Sequence, residues 1–122
     1  MKDQMIIASI QMYSTGDKER NLQTMEKYLE HINKAFPNIK MVVFPELAAH
    51  GSISNMRKEA EIIPGELTST FSNMANKYNL WLIPGSIYEK SDNEIFNTAP
   101  VFSSSGDLLG KYRKRYPWRP NE

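Results

Sequence analysis

Four large apolar residues, Met41-Val42-Val43-Phe44, lie between Lys40 and Pro45 and run directly into Glu46. Nothing else in the chain limits its fold so sharply. A short run with no polar alternation reads as a strand buried on both faces, the kind found in sheets covered by helices. Proline has no N–H to give to a sheet ladder, so the strand ends at Pro45. Glu46 therefore falls at the strand's carboxyl end, where open α/β sheets bind their ligands. A carboxyl group desolvated there has its pKa raised and serves as a proton acceptor. Read alone, the hexapeptide equally describes a solvated glutamate opening a loop.

The flanking segments supply the sheet and its cover. Met5 to Met12 is apolar and β-branched and reads as a buried strand. Ser14-Thr15-Gly16-Asp17 breaks it and offers Asp17 as a helix N-cap. Leu22, Met25, Tyr28, Leu29, Ile32 and Phe36 recur at helical spacing, which predicts an amphipathic helix over Lys18 to Ala35 closed by Pro37. Strand, helix and strand in this order form a parallel crossover unit. His31 falls off the apolar stripe and reads as solvated.

Leu47 to Glu61 has weak periodicity and reads as a pocket-shaping loop with a short helix near Met56 to Ala60. Ile63-Pro64-Gly65 is a turn. Leu67, Phe71, Met74, Ala75 and Tyr78 predict a second helix, Glu66 to Tyr78, with Glu66 near its positive end. Leu80 to Tyr88 is strand-like but interrupted by Pro84-Gly85, which implies a bulge or an edge. Glu89 to Asn93 reads as a polar turn. Ile95 to Ser103 and Leu108 to Tyr112 flank Ser104-Ser105-Gly106-Asp107 as a hairpin.

At 122 residues the chain holds at most one domain, and 40% hydrophobic with 24% charged residues fits a soluble globular protein. A net charge of +1 provides no field to recruit nucleic acid or a membrane. No apolar run reaches membrane-spanning length and no signal-like segment precedes the first strand, so the cytoplasm is the default location. Zero cysteines exclude disulfides, thiolate metal sites and a cysteine nucleophile within these residues. With His31 and His50 as the only histidines, a metal centre is not expected.

The last twelve residues, Lys111 to Glu122, carry five basic residues interleaved with Tyr112, Tyr116 and Trp118. Taken with the Glu46 strand, they complete an ordered set of short motifs: Ile6 to Met12, Val42-Val43-Phe44-Pro45-Glu46, Ile63-Pro64-Gly65-Glu66, Phe96-Asn97-Thr98-Ala99, and Gly110-Lys111-Tyr112-Arg113-Lys114 continuing to Pro117-Trp118 and Glu122. In this set the chain resembles the nitrilase superfamily of carbon–nitrogen hydrolases, with its closest look to aliphatic amidases and formamidases. The resemblance implies an α/β fold, the N-terminal half of an α-β-β-α sandwich, with residues 1–122 as one incomplete hydrolase domain. It implies Glu, Lys and Cys chemistry without cofactor or metal. Glu46 is then the general base, Lys114 the group that stabilises the oxyanion, and Glu122 a second glutamate that positions substrate or base. The chemistry is coherent on its own terms, because an amide carbon is a poor electrophile and needs an activated nucleophile and a cation where negative charge develops.

The chain departs from the pattern in two places. It holds no cysteine, and His50-Gly51-Ser52-Ile53-Ser54 lacks the second glycine that a nucleophile elbow needs. Leu47 stands where amidases of this type often carry an aromatic residue. The sequence therefore reads as the N-terminal part of an amidohydrolase, truncated before its nucleophile and inactive alone. In the complete protein the expected partners are a small amide or nitrile substrate and further copies of itself, with no nucleic acid and no membrane. The alternative is a non-catalytic interaction module that pairs through an uncovered sheet. On residue type alone, Arg113, Arg115 and Arg119 read as surface charges, His50 as a loop residue, and Asn97 as a turn residue satisfying backbone groups.

Overall fold

The computed structural model describes residues 3–51 and 56–117. In chain order these form β1 (Ile6–Ser9), α1 (Lys18–Ala35), β2 (Ile39–Val43), α2 (Met56–Glu59), α3 (Glu66–Tyr78), β3 (Trp81–Ile83), β4 (Ile87–Ser91), β5 (Glu94–Phe102) and β6 (Leu108–Arg113). The strands make one six-stranded sheet. β1, β2 and β3 are parallel, while β4 and β6 run antiparallel to β5.

The two long helices start where their sequences dictate. Asp17 accepts the Arg20 N–H and caps α1, satisfying a donor that the first turn leaves open. At α3 the N-cap is Gly65, whose N–H is taken by the Thr68 hydroxyl at 2.7 Å. Asn79 closes that helix in the left-handed region, a role open to Asn because its short polar side chain tolerates positive φ.

The 80–88 stretch is two strands, β3 and β4, separated at Pro84-Gly85. Both lie against the same edge of β5, since Leu82 pairs Phe102 and Ile87 pairs Thr98 while β6 takes the opposite edge. Glu89, expected in a polar turn, is instead a buried residue of β4; the turn falls at Asp92-Asn93, with Asp92 at positive φ. Alternation across the pleat explains this, because Glu89 follows Ile87 onto the helix-covered face.

Met25, Leu29 and Ile32 of α1 and Leu67, Phe71 and Met74 of α3 bury against Val42, Leu82, Ile87 and Phe102 of the sheet. Burial of this apolar surface is the main force that joins the layers. On the other face no helix among the described residues packs on β1, β2 or β3. There Ile7, Met41 and Trp81 stand side by side in register, and Val43 lies beside Ile83. All are partly or fully exposed, Ile7 to 52%. The expectations that β2 is buried on both faces and that β1 is a buried strand are therefore corrected, since Met41 and Val43 are partly exposed and no residue of β1 is buried. In β2 the apolar residues are continuous, but only the face of Val42 is covered.

Candidate active site

β2 gives way after Val43 to Phe44 and Pro45, and residues 46–50 turn away from the sheet. Leu47 takes a φ of 53°, an unusual state for a branched side chain and a place to look for function. The turn is held from outside: the Leu47 N–H donates to the Ser86 hydroxyl at 3.0 Å. Gly85, at a φ of 81°, lets the β3–β4 connection approach so closely that a Cβ there would overlap the Pro45 carbonyl oxygen. The break at Pro84-Gly85 thus sets the backbone that carries Glu46.

Lys114, one residue past β6, is brought to the same place. Its N–H donates to the Asn97 carbonyl at 2.8 Å, and its ammonium lies 3.0 Å from Glu46 Oε1. Asn97 Nδ2 donates to that same oxygen at 2.7 Å. The three side chains border a cleft of about 310 Å³ with Ile83, Ser86 and Tyr112 in its wall. Glu46 and Lys114 come from segments 68 residues apart, yet they meet at one end of the sheet.

Two expectations change here. The desolvation expected for Glu46 is absent, since its side chain is 55% exposed while that of Lys114 is 33% exposed. Asn97 is not a turn residue. It lies in β5, buried, with its amide fixed on Glu46. Sequence reasoning passed over Asn97 because its partner is 51 residues away. The signal available was the strand pattern, which already placed residue 97 on the face opposite Thr98.

Arg113 is also corrected. Rather than a free surface charge, it sits over the Phe96 ring at 4.0 Å and donates to Glu89 Oε1 at 2.7 Å. Lys111 pairs with the other Glu89 oxygen, and Thr98 donates to Glu89 at 2.9 Å. Burial pushes the Glu89 carboxyl up, but the hydrogen bonds from Arg113, Lys111 and Thr98 outweigh it and hold the group down at about 2. His50 is buried to 1%, its Nε2 accepting the Tyr88 N–H at 3.4 Å and its Nδ1 without a hydrogen-bond partner. Burial, with Lys18 adding to it, lowers the His50 pKa. The ring contributes packing beneath the Glu46 turn. Glu66 is exposed in the first turn of α3, Arg115 is exposed, and Glu122 and Arg119 lie outside the described residues.

A carboxylate, an ammonium and an amide on one cleft can accept a proton and stabilise a developing oxyanion. Among the described residues no cluster of three or more His, Asp or Glu side chains is arranged to hold a metal ion. No helix among them is long and apolar enough to cross a membrane.

Residues 6–122 match the carbon-nitrogen hydrolase family. The omega-amidase NIT3 of Saccharomyces cerevisiae is 38% identical over 109 residues, 83% of this chain and 37% of that protein. A formamidase of Bacillus cereus is 28% identical over 114 residues, 89% of this chain and 34% of that one. The crystal structure of Saccharomyces cerevisiae Nit3, a member of branch 10 of the nitrilase superfamily, is similar with a TM-score of 0.83 and 32% identity, covering 92% of this chain and 44% of that one. The chain spans about two fifths of the length of these relatives.

Proposed function

The chain belongs to the carbon-nitrogen hydrolase family, and from that premise we propose that it supplies the base and the cation of an amidase-type hydrolysis. The substrate is a small non-peptide amide, and the nucleophile is a cysteine thiol that these 122 residues do not contain. Glu46 takes the thiol proton. The thiolate adds to the amide carbon, and the carbonyl electrons move onto oxygen, where the Lys114 ammonium faces them. Collapse of that intermediate expels ammonia, which leaves with the proton Glu46 held. Water then adds to the thioester with Glu46 again as base, releasing the acid and restoring the thiol. Glu122 is the second glutamate of the site. The complete protein works as a homo-oligomer in the cytoplasm, and this chain alone is an incomplete domain without turnover.

One observation carries this reading: the 3.0 Å contact of Lys114 Nζ with Glu46 Oε1 at the mouth of a cleft. The test joins the chain to the unmatched remainder of the Saccharomyces cerevisiae omega-amidase NIT3 and follows ammonia release from small amides. The joined protein is expected to turn over and the isolated chain is not. Robust turnover by the isolated chain, or none by a folded joined protein, would overturn the reading.

A second reading has its own observation, the open apolar rows of Ile7, Met41 and Trp81 and of Val43 and Ile83. In it the chain is a non-catalytic module that pairs through this face. Sedimentation across a concentration series separates the two, since a clean monomer with a cooperative melt counts against obligate pairing.

A further inference from the structure

Behind the cleft, on the helix-covered side of the sheet, lies the Glu89 cluster that the proposed chemistry leaves unused. Its carboxylate leaves β4, reaches over Thr98 and Phe96 of β5, and takes Lys111 and Arg113 from β6. One buried acid thus ties together three neighbouring strands.

β6 needs such a tie. It pairs only with β5 among the described residues, and Leu108 to Tyr112 are all exposed, so burial does not decide which of its faces points to the helices. Pro100 stands opposite Lys111 and has no N–H for the ladder, and the register shifts between Val101 and Phe102. The turn after β5 holds only the start of β6, with the Ser103 N–H donating to the Asp107 carbonyl at 2.9 Å; the irregularity beside it leaves the rest of the strand two registers, and a slip of one residue sends every side chain to the other face. Glu89 removes that freedom. With Lys111 and Arg113 held on the helix side, Tyr112 and Lys114 face the cleft, and both border it. The slipped register would carry Lys114 to the helix side, away from Glu46.

We propose that Glu89 is a positioning residue, which fixes the register of β6 and so presents the Lys114 ammonium to Glu46. This rests on the reading of Glu46 and Lys114 as the working pair. Glu89 touches neither of them. It acts through two cations at positions 111 and 113, each one strand period from the next.

The experiment uses a water-soluble carbodiimide on the 122-residue chain, which condenses a carboxylate and an amine in contact into an amide. Quantitative peptide mass spectrometry reads the Glu46–Lys114 cross-link against an internal standard, the Lys77–Glu26 pair between α1 and α3, whose atoms are 2.7 Å apart. Glu89→Gln keeps the size and the Thr98 acceptor but removes the charge, and it is expected to lower the Glu46–Lys114 yield about fivefold or more while the standard holds, the signature of a lost register. Lys111→Gln combined with Arg113→Gln leaves Glu89 free to protonate and is expected to act the same way should the first variant fail to fold. An unchanged yield in a folded variant overturns the proposal. Loss of the cooperative melt in both variants also overturns it, because the cluster would then hold the whole fold. Absence of the cross-link in the unmodified chain would instead overturn the reading of the pair itself.

Discussion

The Glu89 cluster also sets how this fold answers to acid, and the effect can be worked out from its parts. The Glu89 carboxyl is held at about 2 in the folded chain against its ordinary 4.5. Its folded pKa is depressed, so the stabilisation is complete above about pH 5 and is lost as pH falls toward 2. A depression of this size corresponds to roughly 3 kcal/mol. The side chains of Lys111 and Arg113 are 34% and 37% exposed, and solvent screening reduces the figure to about 2 kcal/mol. Glu89→Gln forgoes this term without changing the shape of the site. Urea titrations of both proteins across the acid range read the difference directly. It should be about 2 kcal/mol near neutrality, or about 8 °C in Tm for a chain of this length, and should shrink toward zero near pH 2. A difference that stays constant with pH, or that is absent at neutrality, would refute the assignment of the stabilisation to the ionised carboxylate.

Three further substitutions probe the parts that hold the cleft. Gly85→Ala places a Cβ against the Pro45 carbonyl at a positive φ; it should cost about 2 kcal/mol or more, and a urea midpoint equal to that of the unmodified chain would contradict the close approach. Asn97→Ala removes a hydrogen bond to Glu46, but that carboxylate is open enough to rehydrate, so the expected loss is only about 1 kcal/mol by the same assay. Met25→Ala empties a fully buried position between α1 and the sheet and should cost about 2–5 kcal/mol; a loss below about 1 would mean that the core there is not packed as described.

The helices were legible to the residue. Asp17 as cap and the apolar stripe predict Lys18–Ala35, and the pattern after Gly65 predicts Glu66–Tyr78, the spans observed. Both are set by local spacing and local capping, which a single sequence carries. The family resemblance and the α/β class were legible too, because they rest on ordered short motifs rather than on any one residue. What the sequence hid depends on partners far along the chain. Glu89 looks like a turn residue until β6 returns with Lys111 and Arg113, and Asn97 looks like a backbone-satisfying residue until Glu46 stands beside it. The open face was misread for a related reason. An apolar run such as Met41 to Phe44 states that a residue favours burial, but the described residues bring helices to only one side of it.

The proposed hydrolysis requires Glu46 to accept a proton while Lys114 stabilises the oxyanion, and kcat for Glu46→Gln in the protein joined to the relative's remainder tests that most directly. A general base contributes about 10²–10⁴ in rate, so kcat should fall by about 10³ with the Glu46–Gln change while the fold melts as before. Activity within about tenfold of the unmodified joined protein would contradict it, because the proton would then be going somewhere other than Glu46.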